Sequence, residues 1–350
     1  MFKADWSLPE PTQDKYSESL LSGATSFGDT AVVTIARSGG EGFDLPRDVN
    51  AETSNYPYFS YTNNSDEYAD FEDGQGYLEL TRPEKDMIEL AKQTSDKTVV
   101  VINAANAFEL GDLQDDPEID AIVWAIPGGQ VGFNALGRIL DGEVNPSAET
   151  PDTFARDIKS GPAANNFGDF QYTSMTEFAQ DDPFNKGTQT QPSFVNDNDS
   201  IYVGYRWYET AAAEGVIDYA SEVVYPFGFG LSYTTFSQSM GDISVDEASG
   251  AMTADVTVTN TGQVAGKDVV QIYDNPPYTD GGIEKAAANL LSYEKTKLLE
   301  PGETQTITVT WNRDSLASYD AKDAKAYVLE AGNYKISARA NSHELRDKRR

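Results

Sequence analysis

The sequence predicts an α/β domain built on a parallel sheet, followed by an all-β sandwich, and three patterns carry that expectation. Short continuous apolar runs recur before residue 126, helical patterns lie between or after them, and beyond about residue 238 the apolar residues switch to alternation. Continuous runs suit strands covered on both faces, whereas alternation suits strands with one wet face.

The runs are 31–36 (Ala-Val-Val-Thr-Ile-Ala), 98–103 (Thr-Val-Val-Val-Ile-Asn) and 120–125 (Asp-Ala-Ile-Val-Trp-Ala). Ahead of the second, Thr81-Arg-Pro-Glu84 reads as a capping box, in which the Thr81 hydroxyl accepts from the Glu84 amide while Glu84 reaches back. Met87, Ile88, Leu90 and Ala91 give the helix that follows an apolar face. The pattern predicts another helix from Gln130 to Leu140, with Val131, Ala135, Leu136 and Ile139 on one side and Asp141-Gly142 ending it. The alternation is βαβαβα, hence a doubly wound α/β domain. From Glu149 to Val223 the chain is polar, aromatic and poor in periodicity, and is expected to wrap the domain surface, pinned by Tyr202, Tyr205, Trp207 and Tyr208. In the last third Ala254, Val256 and Val258 alternate with polar residues, as do Ile307, Val309 and Trp311. Val269-Val270 and Tyr334-Lys-Ile336 add strands, and Asn260-Thr-Gly262, Pro301-Gly302 and Ala331-Gly-Asn333 supply turns.

Composition narrows the chemistry. At 350 residues the chain is long for a single domain, and 39% hydrophobic residues suffice for real cores. A formal charge of -31 disfavours nucleic acid and anionic lipid, both of which call for Lys and Arg clusters, while a neutral sugar needs no charge complement. With no cysteine and His343 as the single histidine, thiolate chemistry, most Ser-His-Asp chemistry and two-histidine metal sites are excluded. Acid/base work falls to carboxylates. No apolar run reaches the ~18 residues of a membrane span, and the first residues lack a signal-peptide pattern.

One carboxylate stands out. Gly39-Gly40-Glu41-Gly42 follows the first strand, and glycines on both sides let the backbone turn tightly and leave Glu41 unobstructed. Open α/β sheets bind ligands beyond the C-terminal ends of their strands. Three loops lie there: Ser38–Asp44, Ala104–Asn106 and Pro127–Gln130. Arg37, Asp44 and Arg47 flank Glu41, and Asn103, Asn106 and Gln130 are further candidates for contact with a substrate or with Glu41. Gly128-Gly129 resembles a phosphate loop only faintly, without a G-x-G-x-x-G or Walker pattern. Asn196-Asp-Asn-Asp-Ser200 lacks the glycine and distal Glu of an EF-hand. No metal or cofactor is expected.

Arg37-Ser-Gly-Gly-Glu-Gly-Phe-Asp44 and Tyr225-Pro-Phe-Gly-Phe-Gly-Leu-Ser-Tyr-Thr-Thr-Phe236 together resemble the C-terminal half of family 3 glycoside hydrolases, the β-glucosidase and β-xylosidase group. Val258-Thr-Asn-Thr-Gly-Gln-Val-Ala-Gly-Lys-Asp-Val-Val270 resembles the fibronectin type III-like module of those enzymes. The resemblance implies an incomplete parallel-sheet α/β sandwich at 31–237, after a lead-in at 1–30. A fibronectin type III-like sandwich follows at 238–345, then a tail at 346–350. It implies Glu41 as the general acid/base of a retaining β-glycosidase, most often a β-glucosidase. The nucleophile, an aspartate on a (β/α)8 barrel, is absent from this chain. Trp6-Ser-Leu-Pro-Glu-Pro and Asn275-Pro-Pro-Tyr278 resemble the members with reversed domain order. Many members place an Arg directly after the aspartate; here Leu45 stands there, and Arg47 is the substitute. The aromatic string from Tyr225 is expected to pack rather than bind. The expected partners are a β-linked oligosaccharide or glycoside and a catalytic barrel, from the same protein or another chain. Alone, the chain is expected to be inactive. Two other readings stand beside this one: a non-catalytic carbohydrate-binding or scaffold module, and a chain complementing a separate barrel subunit. An extracellular or cell-surface setting is favoured over a cytoplasmic one.

Overall fold

The computed structural model describes residues 9–39, 45–52, 60–64, 66, 68–166, 170–182 and 187–346. They form two compact units, one of Met1–Gly132 with Ala155–Asn198, the other of Phe133–Phe154 with Asp199–Arg350.

The first unit is built on three parallel strands, β1 (Thr30–Ala36), β2 (Lys97–Asn103) and β3 (Ala121–Ala125), in the order β1-β2-β3. The register is continuous, with Val33 opposite Val100 and Ile102 opposite Trp124. Helix α1 (Glu18–Phe27) precedes β1. Helix α2 (Arg82–Thr94) connects β1 to β2 and packs on both; short helix α3 (Gly111–Asp115) lies between β2 and β3. The expected capping box is present: the Thr81 hydroxyl accepts from the Glu84 amide and the Glu84 carboxylate accepts from the Thr81 amide at 2.8 Å. Ile88 and Ala91 are buried, while Met87 and Leu90 are half-buried.

Only the central strand is covered on both faces. Val100, Val101 and Ile102 of β2 are fully buried, whereas β1 leaves Val32 50% exposed and β3 has no fully buried residue. The expectation of double coverage is corrected for β1 and β3, because each is an edge of the sheet. The strand order is also sequential, without the reversal that a doubly wound sheet makes at its switch point.

In the second unit, α4 begins at Phe133 and not at Gln130, and runs to Leu140. Ahead of it Gly129, at φ +56°, turns the chain, and the Gly132 amide donates to the Gly128 carbonyl. Val131 is 72% exposed, and Leu136 and Ile139 are half-buried. The segment expected to be an irregular wrap contains a regular helix, α5 (Tyr205–Ala213), which buries Tyr208, Glu209 and Ala211. Gly204, at φ +59°, supplies the entry bend, and the alanine run at its end favours helix.

The sandwich forms as alternation predicts at Ala254, Val256 and Val258 and at Val309 and Trp311, whereas the strand over Val269–Asn275 is buried on both faces. One sheet holds β4 (Phe236–Val245), β5 (Ala251–Asn260) and β8 (Thr304–Asn312) in the order β8-β5-β4. The other holds β6 (Val269–Asn275), β7 (Asn289–Lys295) and β9 (Lys335–Arg339) in the order β7-β6-β9. All pairs are antiparallel. Val256, Val258, Val270, Ile272, Leu299 and Val309 are fully buried at the centre, with Trp311 beside them. Each such side chain contributes about 1.5–3 kcal/mol through burial. Asn260 closes one end of this core: its amide donates to the Val264 and Leu299 carbonyls, and its oxygen accepts from Thr234 and the Gly262 amide. No helix among the described residues is long and apolar enough to cross a membrane.

Candidate active site

The strand ends that precede the three loops singled out in the sequence belong to parallel, adjacent strands and so lie along one edge of the sheet. The end of β1 is held with unusual completeness. The Arg37 amide donates to the Asn103 carbonyl at 3.1 Å, extending the ladder one residue past β1. Its guanidinium, 4% exposed, forms a bidentate pair with the Glu84 carboxylate at 2.5 and 2.6 Å. The other N–H groups donate to the Tyr77, Ala36 and Glu79 carbonyls. Every one of the donors a guanidinium has is thereby used. Phe71, Tyr77 and Phe108 place their rings within 5.8 Å of the charge. Burial works against that charge, but the Glu84 carboxylate more than offsets it, so the Arg37 pKa ends raised.

Arg37 is accordingly corrected from a sugar contact to a strut. It has no donor left for a ligand, and what it does is tie the end of β1 to the capped start of α2. Glu84 caps the helix and neutralises the arginine with the same carboxylate.

Beyond Arg37, Gly39 lies beside Asn106, which is exposed. A Cβ on Gly39 would lie 2.8 Å from the Asn106 side-chain oxygen, so a side chain at 39 would displace that amide. Asn103, half-buried, donates to the Ala125 carbonyl at 2.9 Å, joining the ends of β2 and β3. Gln130 is exposed in the turn after β3. Arg47 donates from Nη1 to the Ala164 carbonyl at 2.6 Å. Glu41 and Asp44 lie outside the described residues, as do Trp6 to Leu8. No group of three or more Asp, Glu or His placed to hold a metal ion occurs among the described residues.

A carboxyl not singled out in the sequence lies on the loop after β2. Burial pushes Glu109 up to about 7; the Ile158 amide, donating to it at 3.0 Å, opposes that, while Glu79 and Asp157 add to it. The available signal was a lone Glu between two apolar residues, since Phe108 and Leu110 are almost completely buried. An acid that keeps its proton near neutrality suits general acid chemistry, but here the carboxyl tethers the 157–160 segment.

The aromatic string organises the second unit. Phe227 stacks on Tyr205 at 4.6 Å, and Tyr225 stacks on Phe229 at 5.0 Å. Gly228 sits at φ +78°, where a Cβ would come within 2.2 Å of the Gln271 side chain, and a Cβ on Gly230 would meet Glu149 at 2.4 Å. Thr150 stitches the string by bonds to the Pro226, Gly228 and Phe229 backbone. Packing is its role, although Tyr233 remains 47% exposed.

The model of the glycosyl hydrolase family 3 C-terminal domain matches residues 21–233, and that of the fibronectin type III-like domain matches residues 268–342. The chain belongs to glycosyl hydrolase family 3. Among its relatives, beta-glucosidase A of Butyrivibrio fibrisolvens is 34% identical over 91% of this chain and 36% of its own length. A beta-glucosidase of Ruminococcus albus is 31% identical over 92% of this chain and 28% of its own. Among solved structures, a Paenibacillus barengoltzii beta-glucosidase matches with a TM-score of 0.70 at 28% identity, covering 94% of this chain and 30% of that one. Beta-glucosidase 3B of Thermotoga neapolitana, solved with alpha-D-glucose, also gives 0.70, at 27% identity, over 96% of this chain and 39% of that one. The family 3 chain described here thus spans roughly a third of the length of these relatives.

Proposed function

We propose that this chain supplies the acid/base loop of a retaining β-glucosidase and depends on a (β/α)8 barrel, from the same protein or another chain, for its nucleophile. The observation that carries the reading is Arg37. A fully committed, buried guanidinium fixes the strand end from which Gly39-Gly40-Glu41-Gly42 departs, beside Asn106 and next to Asn103. Kinship with beta-glucosidases supports the same reaction class.

In that chemistry Glu41 protonates the departing glycosidic oxygen while a carboxylate about 5 Å away attacks the anomeric carbon; Glu41 then takes a proton from the water that releases the sugar. Splitting the pair over two domains lets their interface form the sugar pocket. Asn103, Asn106, Gln130 and Arg47, with Asp44 three residues after Glu41 in the sequence, are the candidates for holding substrate hydroxyls. Without the second carboxylate the covalent route is closed. Purified chain assayed on nitrophenyl β-glucoside and β-xyloside is therefore expected to release no more nitrophenol than its Glu41→Gln variant. Robust turnover by the chain, lost in Glu41→Gln, would show that the nucleophile is present after all.

A further inference from the structure

Within the second unit the chain forms a cavity of about 410 Å³ between α5 and the loop that follows β6. Tyr202, Thr210 and Glu214 line the helix side; Tyr278, Asp280 and Lys285 line the loop side. The loop is held in place at several points. Asn275 donates to the Ala287 carbonyl at 2.5 Å and accepts from Arg339 at 2.7 Å, and the Ala287 amide donates to the Thr210 hydroxyl at 2.9 Å. Lys285, whose side chain is 3% exposed, pairs with Glu330 and donates to the Pro277 carbonyl at 2.7 Å.

An ammonium has three N–H donors, and only two of those on Lys285 find acceptors among the described residues. The Thr210 hydroxyl likewise accepts one bond and has no acceptor for its own proton there. One donor thus stands in each wall, Thr210 on the helix side and Lys285 on the loop side; Glu214 and Asp280 offer acceptors, and Tyr278 is 46% exposed. Such a lining sorts ligands by chemistry. Four carboxylates in and around the cavity (Glu214, Asp280, Glu284 and Glu330) repel an anion. A cation gains Glu214 and Asp280 but meets Lys285, and an apolar molecule leaves the buried ammonium without its bond. A pyranose meets all the demands: its hydroxyls both give and accept, its C–H face covers a tyrosine ring, and it carries no charge. Pockets for small ligands start at about 300 Å³, and the volume suits one or two such rings.

We infer that this cavity is a binding site for a neutral pyranose, one or two units long, on residues other than the Glu41 loop. The choice of a β-glucoside as that sugar rests on the proposed function; the preference for a pyranose rests on the lining alone.

The test is calorimetric titration of the full chain with cellobiose and, separately, with spermidine, using the wild type, Tyr278→Ala, Tyr278→Phe, Glu214→Gln and Glu41→Gln. Tyr278 and Glu214 are exposed enough for substitution without loss of the fold, which circular dichroism checks. The expected result is cellobiose binding that weakens tenfold or more in Tyr278→Ala, is kept in Tyr278→Phe and is unchanged in Glu41→Gln. Absence of cellobiose binding overturns the inference, as does binding indifferent to Tyr278→Ala. Spermidine binding in its place, weakened by Glu214→Gln, would make the cavity a cation site. Cellobiose binding lost in Glu41→Gln alone would overturn the cavity while leaving the acid/base reading standing.

Discussion

The two sheets of the sandwich and the parallel sheet of the α/β unit solve the burial problem to different degrees. In the sandwich, strands from both sheets bring fully buried residues to one core, Val256 and Val309 from one side and Val270 and Ile272 from the other. In the parallel sheet β2 alone is covered on both faces; edge strand β1 buries Val33 and Ile35 but leaves Val32 exposed, and the apolar residues of edge strand β3 are only partly covered. The sandwich is a finished core. The α/β unit has its own buried apolar residues, among them Val33, Ile35, Ile88 and Val100, and in addition buries one ion pair, Arg37 with Glu84, at the strand end that leads into the proposed acid/base loop. A buried pair of that kind contributes little net stability compared with apolar packing, but breaking it is costly. Within the α/β unit that pair is the most costly single contact to break, and it lies at the strand end that leads to the proposed chemistry.

The sharpest way to break this contrast is Arg37→Ala. It leaves the Glu84 carboxylate buried without its partner, and the expected loss is about 3–5 kcal/mol. Hydrogen exchange should show protection falling at Val99 to Ile102 and remaining at Val256 and Ile272. Equal loss in both sets would mean that the units do not respond separately. Next comes Ile272→Ala, expected to cost about 2–5 kcal/mol in the sandwich through the cavity left behind, with β2 amides unaffected. Smaller still is Glu109→Gln. The Glu109 carboxyl is raised to about 7 in the folded chain, above the ~4.3 of an unfolded glutamate. The folded state thus holds more protons between those values, and stability falls as pH rises through that window. Urea denaturation should find Glu109→Gln more stable than the wild type at pH 8 by about 1–2 kcal/mol, with the gap closing toward pH 4. A gap that widens on acidification would contradict the assignment. The mildest change is Val123→Ala on edge strand β3, expected to cost about 1 kcal/mol or less because the site is only half-buried.

Much of this architecture is legible locally, and the parts that are not share a cause. The three apolar runs became β1 to β3 within a residue, and the Thr81–Glu84 capping box closed as its spacing indicates, because both patterns are written in consecutive residues. Alternation at Ala254, Val256 and Val258 fixed which face of β5 is inward. Partners far apart leave no such trace: nothing near Arg37 announces Glu84, 47 residues on. A role as sugar contact was the natural reading of an arginine beside a glycine loop, and only the accounting of its donors removed it. Helix α5 escaped because its buried positions are a tyrosine, a glutamate and an alanine, not an aliphatic stripe. The start of α4 was misplaced by three residues because Gly129 takes a positive φ that helical periodicity does not encode.

In the proposed function Glu41 acts as the proton donor once a nucleophile is supplied. That role is tested most directly by joining this chain to the part of Butyrivibrio fibrisolvens beta-glucosidase A that it does not match, with Glu41 intact or as Glu41→Gln. Two substrates are compared: cellobiose, whose departing oxygen needs a proton, and dinitrophenyl β-glucoside, whose leaving group does not. For the first sugar-transfer step, Glu41→Gln is expected to lower kcat/KM on cellobiose by about 10²–10⁴-fold and far less on the activated substrate. Equal loss on both substrates, or no loss on cellobiose, would contradict that role.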